Sequence, residues 1–318
     1  MENFYCVKVN FDVTFPFSYK SRLSDRLRGL YNTYMKIIEN KTFDEERALY
    51  NITGAEVINC TFAGPADGES ALKECRDVVI EGCSFSLRYP LWHAVNFEVK
   101  NCTMDNLTRA ALWYTKNGRI YSSTLGGIKA LRECDDTYME GCTVVSPEFG
   151  WRCRGVEMTD CDVQSEYFLF ECNNIKLKGV SLKGKYSFQY VENAEIDDCE
   201  FDTKDAFWHA KNMVVRNTVL KGEYLGWYSD GLTLINCKIS GTQPLCYCKN
   251  LRLINCTTDG CDLAFEYSDV EATIDGHIVS VKNPKSGSVT ADSVGEVIDG
   301  DAAIPCFGKV YIRQKKCG

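Results

Sequence analysis

The chain lacks long apolar runs, basic stretches and an export-like start. No stretch approaches 18 consecutive apolar residues, which excludes a transmembrane helix. No Lys/Arg-rich run stands out and the formal net charge is −8, so nucleic acid and anionic membranes are poor partners. Residues 1–17 show no basic segment followed by an apolar core, so we expect no signal peptide and a cytoplasmic location. Only 7 prolines and 45% apolar residues indicate a folded protein.

A short motif, apolar-x-Asn-Cys-x-apolar, recurs along the chain. Its cysteine column reads Cys60, Cys83, Cys102, Ser123, Cys142, Cys161, Val180, Cys199, Thr218, Cys237 and Cys256. The first three spacings are 23, 19 and 21 residues, and the seven that follow are all 19. A fixed period of this length indicates stacked structural repeats.

Further columns keep phase with the cysteines and predict strands joined by corners. Apolar columns alternate with polar ones at the period of two that strands require. Asn, Asp and Gly exchange one and six positions before the cysteine, which indicates left-handed backbone there. A third corner falls where Gly126-Gly127, Gly184, Gly222 and Gly241 stand. Three short strands and three corners predict an all-β parallel β-helix (solenoid) of about eleven 19-residue coils. A leucine-rich repeat is the competitor, but no window shows the helical periodicity it needs.

The cysteines fit this repeat as core residues. Thirteen of the 18 occupy two inward columns, where Ser, Thr, Ala and Val replace them. That exchange is typical of small buried residues, so we expect neither disulfides nor a metal site, and no cofactor.

The two ends depart from the repeat. Residues 1–34 are either an N-terminal cap or an extension from a misassigned start, with Met35 as the true start. The β-helix is expected over 35–278, and residues 279–318 are expected to form a C-terminal capping segment.

Two adjacent columns, ten and nine positions before the cysteine, form what we call the aromatic strip. The first reads Lys73, Trp92, Trp113, Arg132, Trp151, Phe170, Gln189, Trp208, Trp227, Cys246 and Glu266, and the second reads Glu74, His93, Tyr114, Glu133, Arg152, Glu171, Tyr190, His209, Tyr228 and Tyr247. Charges in both columns exclude full burial, so a bulge or corner must intervene. The functional interpretation is carbohydrate binding by Trp92, Trp113, Trp151, Trp208, Trp227, Tyr114, Tyr190, His93 and His209. The alternative is that stacked rings merely stabilise a long sheet.

Charged residues interrupt the rings in three successive coils. On strand spacing, Glu133 and Glu171 lie about 9.6 Å apart, near the upper limit for an inverting glycosidase pair. If the chain is an enzyme, Glu133, Glu171 and Arg152 are the catalytic candidates, for a glycoside hydrolase or a lyase-like reaction. Since Arg152 lies between the two carboxylates, a Glu-Arg-Glu salt-bridge ladder is the structural alternative.

Whole segments resemble an uncharacterised bacterial family, a domain of unknown function in the pectin-lyase-like β-helix group. They are ADGESALKE (66–74), RAALWY (109–114), GGIKALRECD (126–135), SPEFGWRCR (146–154), GKYSFQYVENAEI (184–196), DTKDAFWHAKN (202–212) and GTQPLCYCKNL (241–251). The resemblance covers about residues 35–300 and implies a right-handed helix, but it supplies no catalytic residues. The paired Asp elements and calcium-binding aspartates of pectinolytic relatives are not found.

Two functions therefore stay open. One is a β-helix that binds an oligosaccharide or glycoconjugate along the aromatic strip. The other is a non-enzymatic scaffold whose strip docks a protein partner. The oligomeric state does not follow from the sequence.

Overall fold

A computed structural model describes residues 35–64 and 69–314 of the chain, and the predicted extension 1–34 lies outside them. The described residues form strands, turns and bends without a helix. The strands are β1 (Lys36–Glu39), β2 (Thr42–Phe43), β3 (Thr53–Ile58), β4 (Thr61–Phe62), β5 (Arg76–Glu81), β6 (Ser84–Phe85), β7 (Leu91–Trp92), β8 (Val95–Lys100), β9 (Thr103–Met104), β10 (Leu112–Trp113), β11 (Lys116–Tyr121), β12 (Thr124–Gly126), β13 (Leu131–Arg132), β14 (Asp135–Glu140), β15 (Thr143–Val145), β16 (Glu148–Trp151), β17 (Arg154–Thr159), β18 (Asp162–Phe170), β19 (Asn173–Lys178), β20 (Ser181–Ser187), β21 (Glu192–Asp197), β22 (Glu200–Thr203), β23 (Lys211–Arg216), β24 (Val219–Lys221), β25 (Asp230–Ile235), β26 (Lys238–Ser240), β27 (Leu251–Asp259), β28 (Asp269–Lys282), β29 (Ser286–Ile298) and β30 (Lys309–Ile312).

Each strand pairs in parallel with the equivalent strand of the next coil, which confirms the predicted β-helix. Ile120 aligns with Met139, and Met139 with Met158, one 19-residue period apart. The described part contains about 14 turns, so the predicted eleven is an undercount. Parallel stacking also continues past Ile278, because β28 pairs with β29 and β29 with β30. Among the described residues no helix is long and apolar enough to cross a membrane.

The two polar corners adopt the left-handed backbone predicted for them. The column from Asn59 to Asn255 has φ between 45° and 63°, and the column from Asp77 to Asn250 has φ between 52° and 73°. Some of their side chains also form ladders, as where Asn117 Nδ2 donates to Asn96 Oδ1 at 2.9 Å. These corners set the three-sided coil.

Glycines at the third corner make room for the neighbouring backbone. A Cβ on Gly127 would lie 1.6 Å from the carbonyl oxygen of Thr108, one coil back. A Cβ on Gly222 would meet the carbonyl oxygen of Thr203 at 2.1 Å. Only a residue without a side chain allows successive coils to approach this closely.

The inward columns form one continuous core. Phe62 and Phe85 are fully buried and stack with ring centroids 4.8 Å apart. Sixteen cysteines lie in the described residues, all free and all buried except the half-buried Cys306.

The core thiols also complete hydrogen bonds that the strands leave open. The Cys153 thiol accepts the backbone N–H of Cys134 at 3.4 Å and donates to the carbonyl of Trp151. At the equivalent position of a later coil a hydroxyl takes this role, because Ser268 Oγ accepts the backbone N–H of Cys248 at 2.8 Å. This shared acceptor role explains why Ser and Thr replace Cys in these columns.

We expect Cys153→Ala to lower the free energy of unfolding by about 1–3 kcal/mol, because the buried N–H of Cys134 loses its acceptor. Cys153→Ser keeps an acceptor and should lose less than half as much. Urea denaturation followed by circular dichroism measures both variants. If both variants lose the same free energy of unfolding, the hydrogen-bond acceptor at this position contributes nothing and only side-chain volume matters.

Candidate functional site

The aromatic strip lies on a corner, as the sequence requires. The second column from Glu74 to Tyr267 has φ between 51° and 60° at every coil. This turn allows both adjacent columns to face outward. The two polar corners use Asn, Asp and Gly and the third corner uses Gly, whereas this turn uses aromatic and charged residues, which tolerate the left-handed region poorly.

The tryptophans of the first column are half-buried and stack on one another. Trp92 and Trp113 lie 5.3 Å apart at 10°, and Trp208 and Trp227 lie 5.5 Å apart at 6°. Trp151 packs at 4.8 Å on Phe170. Within each pair one face of each indole is covered by its neighbour.

Cations cover the remaining faces of the first pair. Lys73 Nζ lies 4.1 Å from the ring centroid of Trp92, and Arg132 lies over Trp113 at 5.4 Å. Trp92 and Trp113 are therefore closed to a ligand that would stack on a ring face.

The indole N–H groups divide into bonded and unbonded ones. Trp208 and Trp227 donate to backbone carbonyls at 2.7 Å, and Trp113 donates to Glu133 at 3.1 Å. The buried Nε1 atoms of Trp92 and Trp151 have no hydrogen-bond partner among the described residues.

The rings of the second column are exposed from His93 to Tyr228 and half-buried at Tyr247 and Tyr267, and they form two separate stacks. His93 and Tyr114 form the first, with centroids 5.2 Å apart. The second, which we call the tyrosine stack, comprises Tyr190, His209, Tyr228, Tyr247 and Tyr267 at spacings of 4.9, 5.0, 4.8 and 5.7 Å. The two predicted histidines therefore belong to different stacks and do not act together.

The predicted Glu133, Arg152 and Glu171 separate these stacks. Arg152 pairs with Glu133 at 3.3 Å, but among the described residues no ion pair joins it to Glu171. The Glu-Arg-Glu ladder is therefore only half formed.

The surroundings of Glu133 favour its ionised form. Burial pushes the pKa of this carboxyl upward, but hydrogen bonds from Tyr114 and Trp113 and the charges of Arg132 and Arg152 outweigh it and lower the pKa. A general acid needs a raised pKa instead, so this carboxylate is poorly suited to donating a proton.

We expect Glu133→Gln to make stability less dependent on pH. In the folded protein the pKa of Glu133 is lowered below the unfolded-state pKa of 4.5. The carboxylate therefore stabilises the fold fully above pH 4.5, and this stabilisation is lost as the pH falls through the folded-state pKa. The free energy of unfolding of the variant should be lower than that of the wild type by on the order of 1 kcal/mol at pH 7 and by less at pH 3. Urea midpoints at the two pH values measure this, with the exposed Glu171→Gln as the matched control. Equal losses at both pH values would contradict the prediction.

An open depression of about 420 Å³ lies beside the tyrosine stack. Its lining includes three tyrosines, two lysines and one aspartate: Tyr228, Tyr247, Tyr267, Lys249, Lys285 and Asp269. Tyr267 and the two lysines are not among the predicted site residues. Tyr267 continues the outer column, so its spacing was a usable signal, whereas nothing in the pattern marked Lys249 and Lys285. No group of three or more His, Cys, Asp or Glu in the described part is placed to hold a metal.

Together these features define a parallel β-helix with an exposed aromatic corner and a shallow depression at one end of it. The profile of DUF3737, described as a protein of unknown function, matches residues 36–307, and the chain belongs to this family. No curated protein matches the chain.

Several solved structures show low similarity. PfbA, a surface adhesin of Streptococcus pneumoniae, is 9% identical with a TM-score of 0.40, and the match covers 92% of this chain and 87% of that one. The A-module of the Azotobacter vinelandii mannuronan C-5 epimerase AlgE6 is 9% identical with a TM-score of 0.34, covering 93% and 96%. The DFA-IIIase of Arthrobacter chlorophenolicus is 9% identical with a TM-score of 0.34, covering 89% and 81%. At these scores the similarities carry no functional argument.

Proposed function

We propose that the chain binds an oligosaccharide or glycoconjugate along the tyrosine stack. The observation that carries the proposal is the exposed ring column beside the depression, at a corner where every residue takes a left-handed backbone. Aromatic residues take up this backbone at a cost, and strained backbone of this kind clusters at ligand sites.

The stack offers the chemistry that a sugar chain needs. Tyr228 and Tyr190 are 46% and 47% exposed, so ring edges and phenol groups of the stack face the solvent at these coils. Apolar ring edges can contact the C–H surfaces of a sugar, and phenol hydroxyls can donate to or accept from its hydroxyl groups. Because neighbouring rings cover one another, binding is expected along the edges of the stack and not by stacking on indole faces.

Tyr228→Ala should weaken oligosaccharide binding by about tenfold, since it removes one wall of the depression and a phenol group. The fold should persist because this side chain is exposed. Isothermal titration with a panel of oligosaccharides measures the effect, and Tyr121→Ala on β11 is the control. No binding to any member of a broad panel would overturn the proposed function.

A protein-interaction scaffold is the second candidate. Phe307 is 77% exposed and Ile312 is 61% exposed, so apolar side chains face the solvent near the last described strand. Exposed apolar groups next to a strand edge are typical of protein-docking sites. Phe307→Ser separates the candidates, because it should leave oligosaccharide binding intact.

A further inference from the structure

The depression beside the tyrosine stack is lined by two lysines, Lys249 and Lys285, and by one carboxylate, Asp269. Lys249 is exposed and has no ion pair within 4.0 Å among the described residues. Its parallel neighbour Asp230 forms no ion pair with it and instead accepts a hydrogen bond from the Asn250 side chain at 2.8 Å.

Lys285 is only loosely paired. Its Nζ lies 3.7 Å from Asp269, and the same carboxylate accepts a hydrogen bond from Ser286 at 2.6 Å. At 3.7 Å the ammonium group makes no hydrogen bond to this carboxylate, which leaves its N–H donors available to a second anionic group.

Nearby lysines outside the depression form closer ion pairs with carboxylates. Lys282 contacts Glu266 at 3.1 Å and Asp301 at 3.2 Å, and Lys211 contacts Glu192 at 2.7 Å. The lining of the depression therefore holds two lysines against one aspartate, an excess of one positive charge in a chain whose net charge is −8.

We infer that the sugar bound at this depression carries a negatively charged group, a carboxylate, sulfate or phosphate, which Lys249 binds with Lys285 beside it. This inference rests on the proposed function and adds the chemical class of the ligand. The tyrosine edges hold the sugar ring, and the ammonium groups make charge-assisted hydrogen bonds to its anionic substituent.

The test is an array of neutral, carboxylated, sulfated and phosphorylated oligosaccharides, with polyglutamate as a polyanion that contains no sugar. We expect binding at 0.15 M salt to be confined to the anionic sugars, and the preferred substituent identifies the group. Lys249→Gln should weaken that binding by about tenfold, and Lys238→Gln, an exposed lysine on β26, should leave it unchanged.

Each other outcome overturns a separate claim. Neutral sugars that bind as tightly as anionic ones, with Lys249→Gln unchanged, would reject the anionic ligand and keep the proposed function. Polyglutamate that binds as tightly as the sugars would reject the carbohydrate and keep a cationic site. No binding to any probe would reject both.

Discussion

Gly127→Ala is expected to destabilise the β-helix by more than about 4 kcal/mol, or to prevent folding. The added Cβ would lie 1.6 Å from the Thr108 carbonyl oxygen, and that atom is part of the neighbouring coil's backbone. A flexible side chain could move away, but this carbonyl cannot move without breaking the stacking of two coils. Residue 127 also has φ of +76°, which adds strain for any residue with a Cβ.

Gly54→Ala is the matched control, since it has φ of +61° but no atom within 4 Å of the added Cβ. It should show only the backbone cost of about 1–2 kcal/mol. Guanidinium denaturation followed by circular dichroism compares the two. Equal losses would show that backbone conformation, and not the close approach of coils, requires glycine at the third corner.

The repeat was predictable because its columns repeat their chemistry in phase. Asn, Asp and Gly exchange at two columns because each tolerates left-handed backbone, and the structure has that backbone there. The corner under the aromatic strip was also predictable, because charges occurred in two adjacent columns. Its residues, such as Tyr228 and His209, gave no sign of a left-handed conformation.

The last coils were not predictable from spacing, because their register is irregular. The pairing shifts between Leu253 and Cys256 and again between Ile274 and His277. Each shift changes the number of residues in a coil, so the 19-residue columns go out of phase although parallel pairing continues.

Which ring faces are open to solvent could not be predicted, because a sequence column gives the position of a side chain and not its orientation. The pattern places Trp92 and Trp113 one coil apart, but it does not show whether their faces meet solvent or each other. Strand spacing favours stacking of large flat rings, and the structure has them 5.3 Å apart. The rings with open surface are therefore those of the outer column and not the indoles.

Phe188→Ala is expected to lower the free energy of unfolding by about 3–5 kcal/mol. This ring is fully buried and contacts three others, Phe168 at 5.3 Å, Phe201 at 5.1 Å and Phe207 at 4.9 Å. Its removal would leave a cavity that the rigid coils on either side cannot close. Guanidinium midpoints measure the loss, and the exposed Phe307→Ala should change stability by less than about 0.5 kcal/mol.

Phe188→Gly separates packing from backbone strain at the same position. Residue 188 has φ of 60°, so phenylalanine and alanine both carry the cost of left-handed backbone and glycine does not. Glycine in a strand or helix is usually less stable than alanine, but here Phe188→Gly should be as stable as Phe188→Ala or about 1 kcal/mol more stable. If the free energy of unfolding of Phe188→Gly is well below that of Phe188→Ala, the left-handed backbone carries little strain. If Phe188→Gly is as stable as Phe188→Ala or more stable, the left-handed backbone at this residue is strained, and the packing of the phenylalanine rings is what stabilises it.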